Sequence, residues 1–206
     1  MNYIIRKATL QDISSMKALI GLSARELSRD EYSTEQIEAA LGGGVFGVDS
    51  QLIRDKTYFI AEFNGELVGC GGWSKRKTLF GSDNYTSRDA GELNPSFDAA
   101  KIRAFFINPK YARQGIAKAI LATCENAAKT NGFTSFELVA TLTGVKFYSA
   151  CNYLIKEHLT YELQSGLTID FIAMRKELIK SITPPAATNN PVKFISNNIP
   201  ETTGEN

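Results

Sequence analysis

The chain has 206 residues, 43% of them hydrophobic and 22% charged, which is the balance of an ordinary globular protein with the length for a substantial core. Its formal net charge of +1 provides no broad field for nucleic acid or an acidic membrane surface. Three widely spaced cysteines, Cys70, Cys124 and Cys151, argue against a disulfide framework or a cysteine-based zinc site and suit a reducing compartment.

Residues 3–8 read as a short first strand. Thr9-Leu10-Gln11-Asp12 then forms a capping box and opens a helix with Ile13, Met16, Leu19, Ile20 and Ala24 on one side. Ser33-Thr34-Glu35-Gln36 is a second capping box, followed by Ile37, Ala40 and Leu41. Residues 42–47 contain a literal G-x-G-x-x-G. It follows a helix and lacks a βαβ context, so we read it as a helix stop and connection rather than a dinucleotide site. Residues 57–63 and 66–74 are strand-like and meet at Asn64-Gly65, a strong short hairpin signal. Gly69, Gly71 and Gly72 weaken the second strand and suggest a bulge or a close approach. Trp73, the only tryptophan, stands at its end. Residues 75–97 form a polar, turn-rich segment long enough to be a lid or binding loop.

Residues 101–107 read as a central strand. The turn Tyr111-Ala112-Arg113-Gln114-Gly115-Ile116-Ala117 leads from it into a helix lasting to about residue 131, with Ile116, Ile120, Cys124, Ala127 and Ala128 at helical spacing. A strand, turn and helix in this order aim unpaired N–H groups and the positive end of a helix dipole at one point, which is a phosphate site. Gly115 and Ala117 allow close approach, and Arg113 and Lys118 add charge. Taken alone, the same residues also suit an ordinary strand–turn–helix. Residues 134–140 follow as a strand with Phe136, Leu138 and Ala140 on one face, then a short helix over 143–151. A final hairpin, 153–163 and 167–176, turns at Gln164-Ser165-Gly166. From residue 181 the composition shifts to Pro, Asn and Thr, and we expect a disordered tail. Residues 1–7 lack a signal-peptide pattern and no apolar run could cross a bilayer. The expected localisation is therefore cytoplasmic. The order of elements specifies a mixed α/β fold with helices on both faces of the sheet.

Three stretches, Phe105-Phe106-Ile107-Asn108-Pro109, the turn 111–117, and Phe147-Tyr148 with Tyr153 beyond the short helix, resemble the GNAT superfamily of N-acetyltransferases. The resemblance covers about residues 3–178. It divides the chain into a GNAT-like domain, 1–178, and a tail, 179–206. Residues 112–117 match the family's Q/R-x-x-G-x-G/A loop, with Ala112 where Gln or Arg is usual. The resemblance implies a mostly antiparallel sheet whose central strands splay to admit acetyl-CoA as acyl donor. It would place the pyrophosphate on Ala112, Arg113, Gln114, Gly115, Ile116, Ala117 and Lys118, and pair the pantetheine with the backbone of Phe105, Phe106 and Ile107. Thr141 stands where an Asn is common and would be a further cofactor contact through its hydroxyl, Gly144 stands where an Ala is usual, and Asn152 where the family has Gly.

Tyr148 is the catalytic residue the resemblance implies, assisting departure of the thiolate. A thiol titrates near about 8.5 and a phenol near about 10, so full proton transfer is uphill by about 2 kcal/mol, and a tightening hydrogen bond is the safer role. The implied reaction is direct transfer of an acetyl group to a primary amine of a small molecule or peptide, with a backbone N–H near Phe106 or Ile107 holding the oxyanion. Glu137, Glu62 and Asp98 are weak candidates for a base. Period-two alternation puts Lys101, Arg103, Phe105 and Ile107 on one strand face. Lys101, Arg103 and Arg76, near Trp73, would make a basic, substrate-binding acceptor mouth suited to a carboxylate-bearing amine. His158 reads as structural, and Cys151 has no evident histidine partner. No metal is expected, nor a nucleic-acid or membrane partner. The resemblance makes a homodimer a reasonable assembly. The competing function is a non-catalytic acyl-CoA-binding sensor. Phosphoryl transfer lacks G-x-x-x-x-G-K-[ST] and an acidic metal cluster.

Overall fold

The computed structural model describes residues 2–78, 80–84, 89, 91–163 and 166–178. The expected tail, 179–206, lies outside them, as do Gln164 and Ser165 of the last turn. The described elements run β1 (Ile4–Lys7), a 3₁₀ turn (Leu10–Asp12), α1 (Ile13–Leu27), α2 (Thr34–Gly42), α3 (Ser50–Arg54), β2 (Tyr58–Phe63), β3 (Glu66–Ser74) and β4 (Ala100–Ile107). A second 3₁₀ turn (Pro109–Tyr111) leads to α4 (Ile116–Thr130), β5 (Ser135–Thr141), a third 3₁₀ turn (Leu142–Gly144), α5 (Val145–Ala150), β6 (Leu154–Glu162) and β7 (Thr168–Glu177).

The seven strands form one sheet in the order β1-β2-β3-β4-β5-β7-β6. Neighbours pair antiparallel except β4 and β5, which are parallel and register only at Ala100–Phe136 and Lys101–Glu137. Beyond those two pairs the central strands diverge. One core, under α4 and α5, contains Ile116, Ile120, Cys124, Phe136, Leu138 and Tyr148. The other, under α1 and α2, contains Met16, Ile20, Ile37, Tyr58, Ile60 and Phe171. No described helix is long and apolar enough to cross a membrane.

The local chemistry explains these boundaries. The Asp12 carboxylate accepts from the Thr9 N–H at 2.7 Å. At α2, the Gln36 N–H donates to Ser33 Oγ at 3.2 Å while the Gln36 side chain accepts from the Ser33 N–H at 2.8 Å. Asn64 and Gly65 both have positive φ, 51° and 78°, as a type I′ hairpin turn requires. The G-x-G-x-x-G stretch begins at the last residue of α2 and continues through its cap, Gly43. The short α3 went unread because its apolar pattern is only five residues long; Asp49 caps it through the Gln51 N–H at 3.0 Å.

One expectation fails on β4. A bulge shifts the β3–β4 register between Gly72–Arg103 and Cys70–Phe106, and Ala104 has φ 56°. The extra residue reverses the alternation. Arg103 turns toward Asp49, on the side of α1 and α2, whereas Phe105 packs against Tyr148 on the side of α4 and α5. Lys101 and Arg103 therefore do not share a face with Phe105 and Ile107. A non-glycine residue in this backbone region costs about 1–2 kcal/mol, offset here by the Tyr58 phenol, which donates to the Ala104 carbonyl at 3.2 Å. The β3 glycines are explained too, since a Cβ on Gly71 would lie 2.7 Å from the Phe105 ring.

Candidate active site

The divergence of β4 from β5 opens a cavity of about 700 Å³ that runs through the sheet. Its walls come from α1, β4, the turn before α4, β5 and α5, with Phe46, Phe80 and Phe171 at the α1 end. Residues of both cores line it, so it joins the two faces of the sheet.

At one mouth the chain makes the turn 112–115. Arg113 and Gly115 have φ 63° and 83°, and Gly115 is the N-cap of α4. No side chain caps this helix, so its first N–H groups remain available to an anion. Nothing lies within 4 Å of a Cβ built on Gly115; its glycine answers to backbone conformation rather than crowding. Ala112, Arg113, Gly115, Ile116, Ala117 and Lys118 all line the cavity, while Gln114 does not. Lys146 adds a further cation at this end.

On the side of α4 and α5 stand Phe105, Ile107 and Tyr148, whereas Phe106 faces Phe46 on the side of α1. The Tyr148 ring meets Phe105 at 6.3 Å, Phe147 at 4.9 Å and Tyr153 at 5.7 Å between centroids. Tyr153 is anchored by donating its hydroxyl to Glu125 at 2.9 Å, and Asn152, at φ 67°, makes the turn between the two tyrosines. Burial pushes the Tyr148 phenol well above its ordinary range, which keeps it protonated and a hydrogen-bond donor. The backbone of β4 is sorted by its pairing. The Asn108 N–H donates to the Val68 carbonyl at 2.9 Å, so by antiparallel alternation the Phe106 N–H faces β3 and the Ile107 N–H faces the gap. The Ile107 N–H donates there to Ser23 Oγ at 3.2 Å. Ser23 was missed in the sequence; the available signal was a hydroxyl on the buried stripe of α1, between Ile20 and Ala24.

Thr141 lines the cavity, but its Oγ1 accepts from the Gly144 N–H at 3.2 Å and so caps the turn after β5. The residues assigned to a basic acceptor mouth are placed otherwise. Trp73 is 2% exposed and packs edge-on against Phe133 in the core. Arg76 binds Asp55 through two nitrogens at 2.7 and 2.9 Å. Lys101 is paired with Glu137. Of the four, only Arg103 reaches the cavity, and it is paired with buried Asp49 at 2.8 Å while donating to the Gly81 carbonyl at 2.7 Å. The sequence shows cations but not their partners, which lie 21 to 54 positions away (76 to 55, 103 to 49). The candidate bases are also committed. Burial works to raise the Glu137 carboxyl, but Lys101 and Arg175 outweigh it and hold it low. Glu62 binds Arg6, and Asp98 accepts from the Asn94 N–H. No group of three metal-ligating side chains occurs among the described residues.

A sequence profile of the Acetyltransferase (GNAT) family matches residues 22–153. The chain belongs to the GNAT family of acetyltransferases. Solved structures agree on the fold. A GCN5-related N-acetyltransferase from Rhodopseudomonas palustris superposes with a TM-score of 0.64 at 18% identity, over 86% of this chain and 97% of that one. The PaiA N-acetyltransferase of Thermoplasma acidophilum, solved in complex with coenzyme A, gives 0.57 at 15%, over 86% and 99%. Ard1 of Thermoplasma volcanium gives 0.58 at 16%, over 87% and 100%. No curated protein matches. The GNAT fold accounts for the mixed seven-stranded sheet with its diverging central strands.

Proposed function

We propose that this GNAT protein transfers an acetyl group from acetyl-CoA directly to a primary amine. The observation that supports the reading is that one cavity, opened by the parting of β4 and β5, is lined both by the uncapped N-terminus of α4 and by Tyr148. The PaiA neighbour, solved with coenzyme A, supports a coenzyme A ligand. The cavity residues fit that ligand: N–H groups with Arg113 and Lys118 for a pyrophosphate, and, beyond Lys101, a β4 edge that no strand covers for an amide-bearing arm.

Within this reading, the turn 112–118 anchors the far end of the donor and β4 aligns its arm. The Ile107 N–H, facing the gap, replaces its bond to Ser23 with one to the acyl oxygen and strengthens it as negative charge develops. Tyr148 donates a hydrogen bond to the sulfur as the C–S bond breaks. Its raised pKa makes full proton transfer to a thiolate still less favourable, so stabilisation by hydrogen bonding is its role. Positioning supplies most of the remaining gain.

The test is to combine the protein, acetyl-CoA and an amine panel and to follow free thiol. Acceptor-dependent thiol release with formation of the acetylated amine is the expected result. Tight coenzyme A binding with no thiol release for any amine would favour a sensor.

A further inference from the structure

Resting on the acyl-transfer reading, we propose that the acceptor is a weakly basic aromatic amine of the aniline class, which enters already uncharged.

The two ends of the cavity differ in chemistry. The cations Arg113, Lys118 and Lys146 gather at the α4–α5 end. The opposite end is walled by Phe46, Phe80, Phe106 and Phe171. Phe46 meets Phe106 at 6.1 Å and Phe171 at 6.3 Å, both edge to face, and Phe80 lies 6.1 Å from Phe171. These contacts hold the rings as a wall against which a flat apolar body packs well. The charged neighbour at this end, Arg103, is neutralised by Asp49, and the remaining polar side chains there are the hydroxyls of Ser23 and Ser28. Among the described residues lining the cavity there is no Asp, Glu or His, and the only acidic residues outside the described ones are Glu201 and Glu205 of the tail.

An alkylammonium would have to leave water for this end without a carboxylate counter-charge, and a buried unpaired ion is costly. It would then have to lose its proton, for which the described residues lining the cavity provide no carboxylate or imidazole. An arylamine meets neither obstacle. Its conjugate acid is deprotonated well below neutral pH, and its ring matches the aromatic wall. The bonds balance without a protein base. The nitrogen lone pair forms the C–N bond, the C–S bond breaks with its electron pair going to sulfur, and the proton lost from nitrogen replaces, through solvent, the one gained by the thiolate. The products are the anilide and the free thiol.

The experiment compares 4-methoxyaniline, 2-phenylethylamine, spermidine and glutamate as acceptors for the full chain with saturating acetyl-CoA, reading thiol release and acetylated product from pH 6.5 to 8.5. The proposal expects kcat/KM at pH 7 for the arylamine to exceed that for each other amine by tenfold or more and to change less than twofold across the range. Any 2-phenylethylamine activity should rise about tenfold per pH unit, following its free base. Phe46→Leu and Phe80→Leu should each raise KM for the arylamine with coenzyme A affinity unchanged. If one variant fails to fold, the other serves. Preference for 2-phenylethylamine, spermidine or glutamate, or a pH-independent alkylamine rate, overturns the acceptor class while leaving acetyl transfer intact. Coenzyme A binding with no thiol release for any amine overturns both.

Discussion

The Ile107 N–H, on the edge of β4 that faces the gap, donates to Ser23 Oγ of α1 at 3.2 Å. The serine holds a donor that the acyl oxygen needs in the proposed reaction. Ser23→Ala should remove the competitor from the ligand-free protein without touching the ligand-bound one. Coenzyme A thioesters should then bind about two- to tenfold more tightly, the scale of one hydrogen bond. Titration calorimetry with a non-hydrolysable acetyl-CoA analogue checks this, and weaker binding would show that Ser23 holds the ligand instead.

The turn before α4 separates charge from backbone conformation. Arg113 is exposed, so Arg113→Ala should weaken coenzyme A binding by only a few-fold, and less as salt rises. Acceptor preference should not change. Gly115→Ala meets no steric obstacle, yet places a Cβ at φ 83°. Its penalty should be about 1–2 kcal/mol of stability, measurable by urea unfolding.

Cys151 lines the cavity, whereas Cys70 and Cys124 are fully buried. Iodoacetamide should therefore modify Cys151 alone in the native protein, as peptide mapping would show. Burial raises its thiol above the usual range, so the thiolate is scarce at neutral pH and the rate should climb as pH rises through 8 and 9. Saturating coenzyme A should protect it. Burial pushes Cys70 up to about 12, and its modification should require unfolding.

Arg103 and Asp49 are buried together at 3% and 0% side-chain exposure. Arg103→Met leaves the carboxylate behind and should cost about 3–5 kcal/mol. Replacing Asp49 by Asn in the same protein should recover part of that loss. Denaturant curves for the two single variants and the double variant measure the coupling.

The sequence was most legible where structure is local. Capping residues at Thr9 and Ser33, the Asn64-Gly65 turn and the helical spacing from Ile116 each act within a few positions, and the fold follows their order. The turn before α4 and Tyr148 were legible because each sits in a short run, and both line the cavity. What stayed hidden is long-range. The bulge at Ala104 reverses the facing of β4, and it depends on Gly71, Phe105 and Tyr58 together. The pairing of Arg76, Lys101 and Arg103 with Asp55, Glu137 and Asp49 turned an expected basic mouth into neutral structure. The aromatic end is assembled from Phe46, Phe80, Phe106 and Phe171, which no sequence spacing relates.

The central claim concerns Tyr148 as the hydrogen-bond donor to the departing sulfur. It is tested most directly by the rate of thiol release with saturating acetyl-CoA and amine, in wild type and in Tyr148→Phe. The account predicts a loss of about 10²-fold in kcat, with coenzyme A affinity unchanged. Wild-type activity should show no alkaline limb below about pH 10, because the buried phenol remains protonated there. Equal rates in the two proteins, with both folded and both binding coenzyme A, would contradict it.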